Sequence, residues 1–232
     1  GSGDVYKRQI FSREGVDTSG ISIGRQATAG SVIVASLAHN SRAISTRQPM
    51  QQEPLSAQAH NLIGRAKWLH VDHVGVERIA QAGIKRGVGP LISFDAGYNV
   101  TNFESSKVDL FVPTDKEMAL RHPALNLGAA VESDSVAAEN ITVATQGSQG
   151  STGFSSESGL VSADGFKVDV VSTLGAGDVF HGALLAQVIQ GRTLGECLLR
   201  ANAVAALSCR GLDGQSMVPN TSELDTFLKE KS

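Results

Sequence analysis

Cysteine is scarce in this chain, which excludes the small proteins that depend on disulfides or on structural zinc. Cys197 and Cys209 are the only two cysteines among 232 residues, and they match neither a disulfide framework nor a zinc site built from paired thiols. We expect both to be small buried hydrophobic residues, and we expect the protein to work in the reducing cytoplasm.

The sequence also lacks a long apolar run and an excess of positive charge. Its longest apolar stretch, residues 179–191, contains His181, Gln187 and Gln190 and is too short to span a membrane. Twenty Lys and Arg residues against 23 Asp and Glu residues give a net charge of -3. Without a global positive field, neither nucleic acid nor an anionic membrane is expected as a partner.

The composition is that of an ordinary globular protein, with 41% hydrophobic and 19% charged residues. Its length indicates one α/β domain with a small appendage rather than two independent domains. Residues 1–10 have neither the apolar region nor the cleavage site of a secretory signal. We expect these residues to be a leader that is not native to the protein.

Short β-branched runs between Gly20 and Thr46 predict a two- or three-stranded antiparallel flap, which is too small to be stable alone. Beyond the flap, apolar runs of strand length are interspersed with runs at helical spacing, a pattern that favours a mostly parallel sheet covered by helices. The predicted strands are residues 68–74, 90–97, 108–114, 141–145 and 166–171. The predicted helices are residues 77–86, 178–190, 194–208 and 222–229.

The segment Ser172–Asp178 reads STLGAGD and stands where the last predicted strand ends and an apolar helix begins. Small residues at a helix start let backbone amides approach a ligand. The free N–H groups and the positive end of the helix dipole there suit a phosphate or a developing oxyanion. Asp178 would then lie beside an anion hole. The same residues could also form an ordinary helix cap after a tight turn, and GAGD alone does not decide between the two.

Four segments in order along the chain carry longer patterns. They are FSREGVDTSGI at Phe11–Ile21, VPTDKE at Val112–Glu117, TQGSQGS at Thr145–Ser151 and STLGAGDVFHGAL at Ser172–Leu184. Together they resemble the ribokinase-like (PfkB) family of carbohydrate kinases. The last segment is similar to the family's second signature, which is the most specific of the four. The others are similar to the entry into its β lid, its Asn-x-x-Glu motif and its nucleotide loop.

The resemblance implies a fold and an activity. The fold is α/β, a three-layer sandwich with a mostly parallel central sheet and a small β lid. Residues 11–56 would form a partial lid, and residues 57–232 would form the nucleotide-binding and catalytic core. The activity is transfer of a phosphoryl group from ATP with Mg²⁺ to a sugar hydroxyl, a reaction that needs positioning and charge stabilisation. Relatives sometimes pair through the lid, so a homodimer is a further expectation.

The resemblance also implies roles for individual residues. Asp178 would be the general base, and the backbone N–H groups of Gly175, Ala176 and Gly177 would receive the moving phosphoryl group. Glu117 would organise Mg²⁺ through water molecules. The residues expected to contact the nucleotide are Thr145, Gly147, Ser148, Gly150, Gly177, Asn202 and Thr114.

Two strand-end carboxylates are candidates for the sugar side of the site. Asp72 is expected to contact sugar hydroxyls, and Asp95 is a similar residue at the end of the next predicted strand. His70, Asp72 and His73 look like a metal cluster, but alternate residues of a strand point to opposite faces. His70 and Asp72 would share a face while His73 points away, so three metal ligands from this run are not expected.

Simpler structural explanations exist for several of these residues. Glu117 could only complement a helix dipole, and the loop at residues 145–151 could be just a turn. Asn202 could be an ordinary polar residue of a helix. These alternatives stay open from the sequence alone.

The chain departs from the family pattern in three places. Ser172 replaces the usual Asp, which puts activation by K⁺ in doubt, because that carboxylate often helps to hold a monovalent cation. Thr114 replaces the usual Asn of the Asn-x-x-Glu motif and drops an amide. The family's opening strands and its Gly-Gly-x-x-Asn sugar loop have no counterpart before Phe11. We therefore expect a kinase fragment that retains the nucleotide half and Asp178.

Two other functions compete with a sugar kinase. A nucleoside kinase of the same superfamily would also carry the GAGD turn, so Asp178 does not distinguish it. A non-catalytic nucleotide-binding module would tolerate Ser172 and Thr114. The intact glycine turn with Asp178 favours the kinase.

Overall fold

The computed structural model describes residues 2–22, 30–36, 41–47, 54–97 and 100–231. The chain divides into two compact units, Gly1–Ala66 and Lys67–Ser232. The division falls after Ala66, whereas the predicted core of the protein began at residue 57.

In its described residues, the first unit contains two helices and a pair of antiparallel strands. Its elements are α1 (Ser2–Arg13), β1 (Gly30–Ser36), β2 (Ser41–Arg47) and α2 (Ala57–Arg65). The strands pair antiparallel, with Val32 opposite Ser45, as the flap prediction required. Residues 23–29 and 37–40, which the prediction also included, lie outside the described part of the chain. Helix α1 takes up most of the segment that was expected to be a leader.

The second unit is built around a six-stranded sheet in which the strands follow chain order. Its strands are β3 (Trp68–Val71), β4 (Leu91–Ala96), β5 (Leu110–Pro113), β6 (Ile141–Thr145), β7 (Gly150–Ser155) and β8 (Gly159–Asp164). The pairs from β3 to β6 are parallel, and the pairs β6–β7 and β7–β8 are antiparallel. The predicted α/β class with a mostly parallel sheet is confirmed.

Helices of the second unit are α3 (His73–Gln81), α4 (Asp115–Arg121), α5 (Leu127–Ala138), α6 (Ala176–Ile189), α7 (Leu194–Ser208) and α8 (Thr221–Lys231). The three helices predicted near the end of the chain are confirmed as α6 to α8, while α4 and α5 were not predicted. Within the described residues, no helix has both the length and the apolar character that crossing a membrane requires.

Several parts of the secondary structure prediction are wrong. The helix predicted at residues 77–86 lies at His73–Gln81, and it takes up the last two residues of the strand predicted at 68–74. Residues 166–171 form no strand. They run as an irregular segment whose Phe166 and Val168 pack against α7 and α8. The Gly-rich run predicted as a loop ends at Gln149, and β7 begins at Gly150. At residues 166–171 and at the start of β7, the packing of distant helices and strands overrides the local pattern.

Hydrophobic clusters cover both faces of this sheet, because successive side chains of a strand point to opposite sides. Along β5, Phe111 packs in the cluster that includes α3, α4 and α5. Leu110 and Val112 pack in the cluster with α6 and α7, where Leu198 is fully buried. Burial of one such side chain contributes about 1.5 to 3 kcal/mol. The expected three layers are therefore confirmed.

Polar caps set the start of the helices that follow the strands. Asp72 caps α3, Thr114 caps α4 and Thr193 caps α7, each by accepting a hydrogen bond from a backbone N–H three residues later. Asp72 was expected on the strand, but β3 ends at Val71 and Asp72 is the N-cap of the helix. These caps place polar side chains at the carboxyl ends of β3 and β5.

A buried ion pair ties α4 to α5. Arg121 Nε lies 2.8 Å from Asp134 Oδ2, and both side chains are almost fully buried. Ser105 also donates a hydrogen bond to Asp134. Burial opposes ionisation of Asp134, but the hydrogen bonds from Arg121 and Ser105 and the charge of Arg121 outweigh it and lower its pKa. The buried negative charge of Asp134 is therefore stabilised mainly by Arg121.

Replacing Arg121 by Gln should destabilise the protein by about 3 to 5 kcal/mol at neutral pH, because Asp134 would keep a buried charge without its partner. Chemical denaturation measures this loss. In the wild type, the contribution of Asp134 should disappear as the pH falls from about 3.9 through the lowered native pKa. Lys107→Gln is the control, since Lys107 pairs with Glu104 in solvent and should contribute under about 1 kcal/mol. Equal losses in the two variants would contradict the assignment.

Candidate active site

The carboxyl ends of the parallel strands line up along one edge of the sheet. Asp72 follows β3, Asp95 lies near the end of β4, and Thr114 follows β5. Thr145 ends β6 and forms a bridge with Thr114. In open α/β sheets this edge is where ligands bind. Four polar residues that the sequence analysis singled out therefore lie along the same edge.

Helix α6 begins at this edge without a capping side chain. Gly175, the N-cap residue, has a φ of 76° and makes no side-chain cap. Among the described residues, no backbone or side-chain group accepts a hydrogen bond from the N–H groups of Gly177 or Asp178, whereas Ala176 donates to Thr173 O. The first turn thus presents free donors to an anion. Of the three predicted donors, Ala176 is already engaged.

Gly175 is required at this turn for two reasons. Its positive φ favours glycine, and a Cβ at this position would lie 3.0 Å from the Cα of Gly214. The segment around Gly214 therefore packs directly against the turn. The turn is also held from the other side, because Val171 and Ser172 donate backbone hydrogen bonds to Cys209 O.

A cavity of about 340 Å³ opens beside this turn. It brings together the expected nucleotide contacts Thr145, Gly147, Ser148, Gly150, Gly177 and Asn202. Its apolar wall includes Phe166, Val168, Val170, Ala205 and Cys209. The pattern of residues 166–171 predicted a strand, so it did not indicate that Phe166, Val168 and Val170 line this cavity. The volume is in the range of small-molecule sites.

Asn202 holds the wall of the cavity. Its Nδ2 donates to Ala163 O at 2.9 Å and to Asp164 O at 3.3 Å. Its Oδ1 accepts a hydrogen bond from Ser151 Oγ at 3.1 Å. The side chain therefore fastens α7 to both strands of the β7–β8 hairpin. Asn202 lines the cavity, but its amide is committed to the hairpin.

Gly150 allows the hairpin to close at this point. Its φ is +106°, and a Cβ would lie 2.1 Å from Ala163 O. Any other residue would collide with the backbone of β8. The glycine expected to contact a nucleotide is thus also required by the close approach of two strands.

Asp178 lies in the first turn of α6 and is exposed. Partial desolvation of its carboxyl and the negative charges of Asp95 and Asp72 raise its pKa, while His70 acts in the opposite direction. Asp178 is therefore close to the ends of β3 and β4. The same helix turn faces the cavity through Ala176 and Gly177.

His181 is a site residue that the sequence analysis did not identify. Its Nε2 lies 3.2 Å from Asp95 Oδ1, and the side chain is only 5% exposed. The ring centroid is 6.0 Å from that of His70, whose Nδ1 shares a 3.1 Å hydrogen bond with Ser93 Oγ. The one feature of the sequence that could have pointed to His181 is its spacing. It follows Asp178 by three positions, and residues at that spacing share a face of a helix.

Glu117 lies in the first turn of α4. Its Oε2 accepts hydrogen bonds from Val100 N and Thr101 Oγ1, each at 3.3 Å. Thr114 caps the same helix by accepting a 3.2 Å hydrogen bond from Glu117 N. Because Thr114 bridges to Thr145, this turn neighbours the cavity. Within the described residues, no group of three or more His, Cys, Asp or Glu side chains is arranged to hold a metal ion.

Ser172, which stands where the family usually has Asp, is held in a local turn. Its Oγ accepts a 3.1 Å hydrogen bond from Leu174 N. The residue supplies a neutral hydroxyl at the base of the turn, and one of its lone pairs is already used. It therefore brings no charge to this position.

Comparisons with known proteins identify relatives that share this fold. The chain is 25% identical over 252 residues to the ribokinase of Haemophilus influenzae, covering 99% of this chain and 79% of that protein. A ribokinase-like protein of E. coli in complex with ATP and Mg²⁺ superposes with a TM-score of 0.78 at 21% identity, covering 98% of this chain and 79% of that one. The ribokinase of Arabidopsis thaliana complexed with ribose and ATP has a TM-score of 0.77 at 19% identity, covering 93% of this chain and 74% of that one.

The sequence pattern of the pfkB family of carbohydrate kinases matches residues 3–221. The match begins inside α1, so the family extends into the segment that was expected to be a foreign leader. It covers the whole carboxyl edge of the sheet and the GAGD turn. The chain belongs to the pfkB family of carbohydrate kinases.

Proposed function

We propose that the protein transfers the γ-phosphoryl group of ATP to a hydroxyl of a sugar, with Asp178 as the general base. The observation that carries the proposal is the position of the first turn of α6. Its Ala176 and Gly177 line the 340 Å³ cavity. On the same helix, His181 lies 3.2 Å from Asp95 at the end of β4, and the negative charge of Asp95 helps to raise the pKa of Asp178. One helix turn thus joins a nucleotide-sized cavity to a polar acceptor side.

In the proposed reaction, the acceptor hydroxyl oxygen attacks the γ-phosphorus and its proton passes to the Asp178 carboxylate. The bond between the γ-phosphorus and the bridging oxygen breaks, and its electron pair leaves with ADP. The free N–H groups of Gly177 and Asp178 would stabilise the negative charge on the moving phosphoryl oxygens. Such donors need no reorganisation, because the helix already holds them in place.

The residues present fit ATP and Mg²⁺. The base and ribose would occupy the cavity against its apolar wall, and the phosphates would extend toward the uncapped start of α6. Glu117 would hold Mg²⁺ through waters, as suits an ion that keeps much of its hydration shell. Mg²⁺, when bound, neutralises charge on the phosphates. Two of the similar structures hold ATP, which supports the same assignment.

Asp178→Asn should leave ATP binding nearly unchanged and lower turnover by about 10² or more, because the variant can no longer accept the hydroxyl proton. Calorimetry measures ATP binding, and a coupled ADP-release assay measures turnover with ribose, fructose and adenosine. In the wild type, activity should be lost as the pH falls through the raised pKa of Asp178, so the acid limb should lie above the ordinary value of about 3.9. Glu132→Gln, on the exposed side of α5, is the control. Unchanged turnover in Asp178→Asn would remove Asp178 from the mechanism.

Gly177→Ala should weaken ATP binding and lower turnover without harming the fold. A Cβ at Gly177 meets no atom within 4 Å, yet the residue lines the cavity where the phosphates would pass. Gly182→Ala is the matched control, since its Cβ on the same helix also meets nothing within 4 Å. Calorimetry and thermal unfolding should show weaker ATP binding in the first variant alone. Equal ATP affinity in the two variants would place the phosphates elsewhere.

A further inference from the structure

Asp95 is a carboxylate whose orientation is fixed from one side. His181 Nε2 lies 3.2 Å from Asp95 Oδ1, and Gly97 N donates to the same oxygen at 3.1 Å. Among the described residues, Asp95 Oδ2 has no hydrogen-bond partner. In the part of the chain that the structure describes, one oxygen is therefore held by the protein and the other is open to a ligand.

His181 orients this carboxylate without neutralising it. Burial lowers the pKa of His181 to about 4; the charge of Asp95 opposes this shift, and His70 adds to it. The ring is therefore neutral near pH 7, and Nε2 carries the proton that is donated to Asp95. His181 Nδ1 then carries an unprotonated lone pair. This atom is buried and accepts no hydrogen bond from the described part of the chain.

In the described residues, the negative charge around Asp178 is also not balanced by a nearby positive charge. The charged groups that shift its pKa are Asp95, His70 and Asp72, and no lysine or arginine is among them in the described part of the chain. Burial lowers the pKa of His70 below its usual value, against the opposing charges of these carboxylates. The charged groups near Asp178 in the described part of the chain are therefore mainly carboxylates, and burial lowers the pKa values of the two neighbouring imidazoles.

Resting on the proposed function, we propose that Asp95, oriented by His181, is a second substrate-binding carboxylate beside Asp178 and that the two restrict the acceptor to uncharged polyhydroxyl compounds. Sugar hydroxyls can donate hydrogen bonds to both carboxylates, and charge-assisted hydrogen bonds are strong. A carboxylate, sulfonate or phosphate close to the reacting hydroxyl would instead face two negative charges in a partly desolvated site. Selectivity thus comes from repulsion as well as attraction.

The first experiment measures the charge preference of the full chain. Acceptors without charge (ribose, fructose and adenosine) are compared with sugar acids such as gluconate and ketodeoxygluconate at saturating ATP. The best uncharged acceptor should exceed every acid in kcat/KM by about 10² or more. Asp95→Asn should lower kcat/KM for that acceptor about tenfold and reduce the preference over the acids by a similar factor. Glu132→Gln should leave both values unchanged.

The second experiment separates positioning from folding. His181→Leu removes the donor to Asp95 while keeping an apolar side chain in the buried position. It should raise the KM of the acceptor about tenfold and leave the KM of ATP within about twofold. His181→Gln keeps an N–H on a side chain of similar reach and should restore most of the loss. A histidine that is merely structural would lower thermal stability in both variants and alter both KM values together.

Several results would overturn the proposal. They are a wild type that prefers an acid, an unchanged preference in Asp95→Asn, or equal acceptor KM values in His181→Leu and His181→Gln. If His181→Leu does not fold, Asp95→Asn and His181→Gln still test the proposal.

If the wild type phosphorylates no acceptor, the proposed function fails, and calorimetry with Mg²⁺ and an unreactive ATP analogue then tests acceptor binding alone. Binding of an uncharged acceptor that weakens in Asp95→Asn supports the proposal, whereas tighter binding of acids, or no binding at all, refutes it.

Discussion

The uncapped first turn of α6 is the constraint on which the rest of the site depends. Because Gly175 adopts a left-handed conformation and supplies no capping side chain, the N–H groups of the turn remain available to a ligand. The helix also has to start at the carboxyl edge of the sheet, and the packing of Gly214 against Gly175 holds it there. A side chain that capped the helix would satisfy the fold better and would remove its anion site.

The two sides of this turn have different chemistry. Toward β6 and the hairpin, the site is lined by glycines, polar side chains and an apolar wall that includes Phe166. Toward β3 and β4 it carries Asp72, Asp95 and Asp178 together with His70 and His181, whose pKa values are lowered by burial. An uncharged acceptor and an anionic donor could thus occupy opposite sides of the turn, with Asp178 at the meeting point.

Buried polar groups hold these two sides in place. Asn202 fastens the hairpin to α7 on the cavity side. His181 fixes Asp95 on the other side. Each of these side chains is almost fully buried, so loss of a partner would leave an unsatisfied group, which is costly in the interior. Both therefore contribute to the site without needing to contact the reacting atoms.

The sequence by itself determined the helices α6 to α8, most of the parallel strands and the GAGD turn, because these follow from local periodicity and from glycine placement. It did not determine the β7–β8 hairpin or the irregular course of residues 166–171, where strand pairing and packing against α7 and α8 decide the conformation. Asp72 was predicted on a strand, yet a hydrogen bond to Gly75 N makes it a helix cap. Only the tertiary structure joins Asp95 to His181 and commits Asn202 to the hairpin. The physical reason is that these hydrogen bonds link residues far apart in the chain, and no local pattern records which distant donor a buried acceptor will meet.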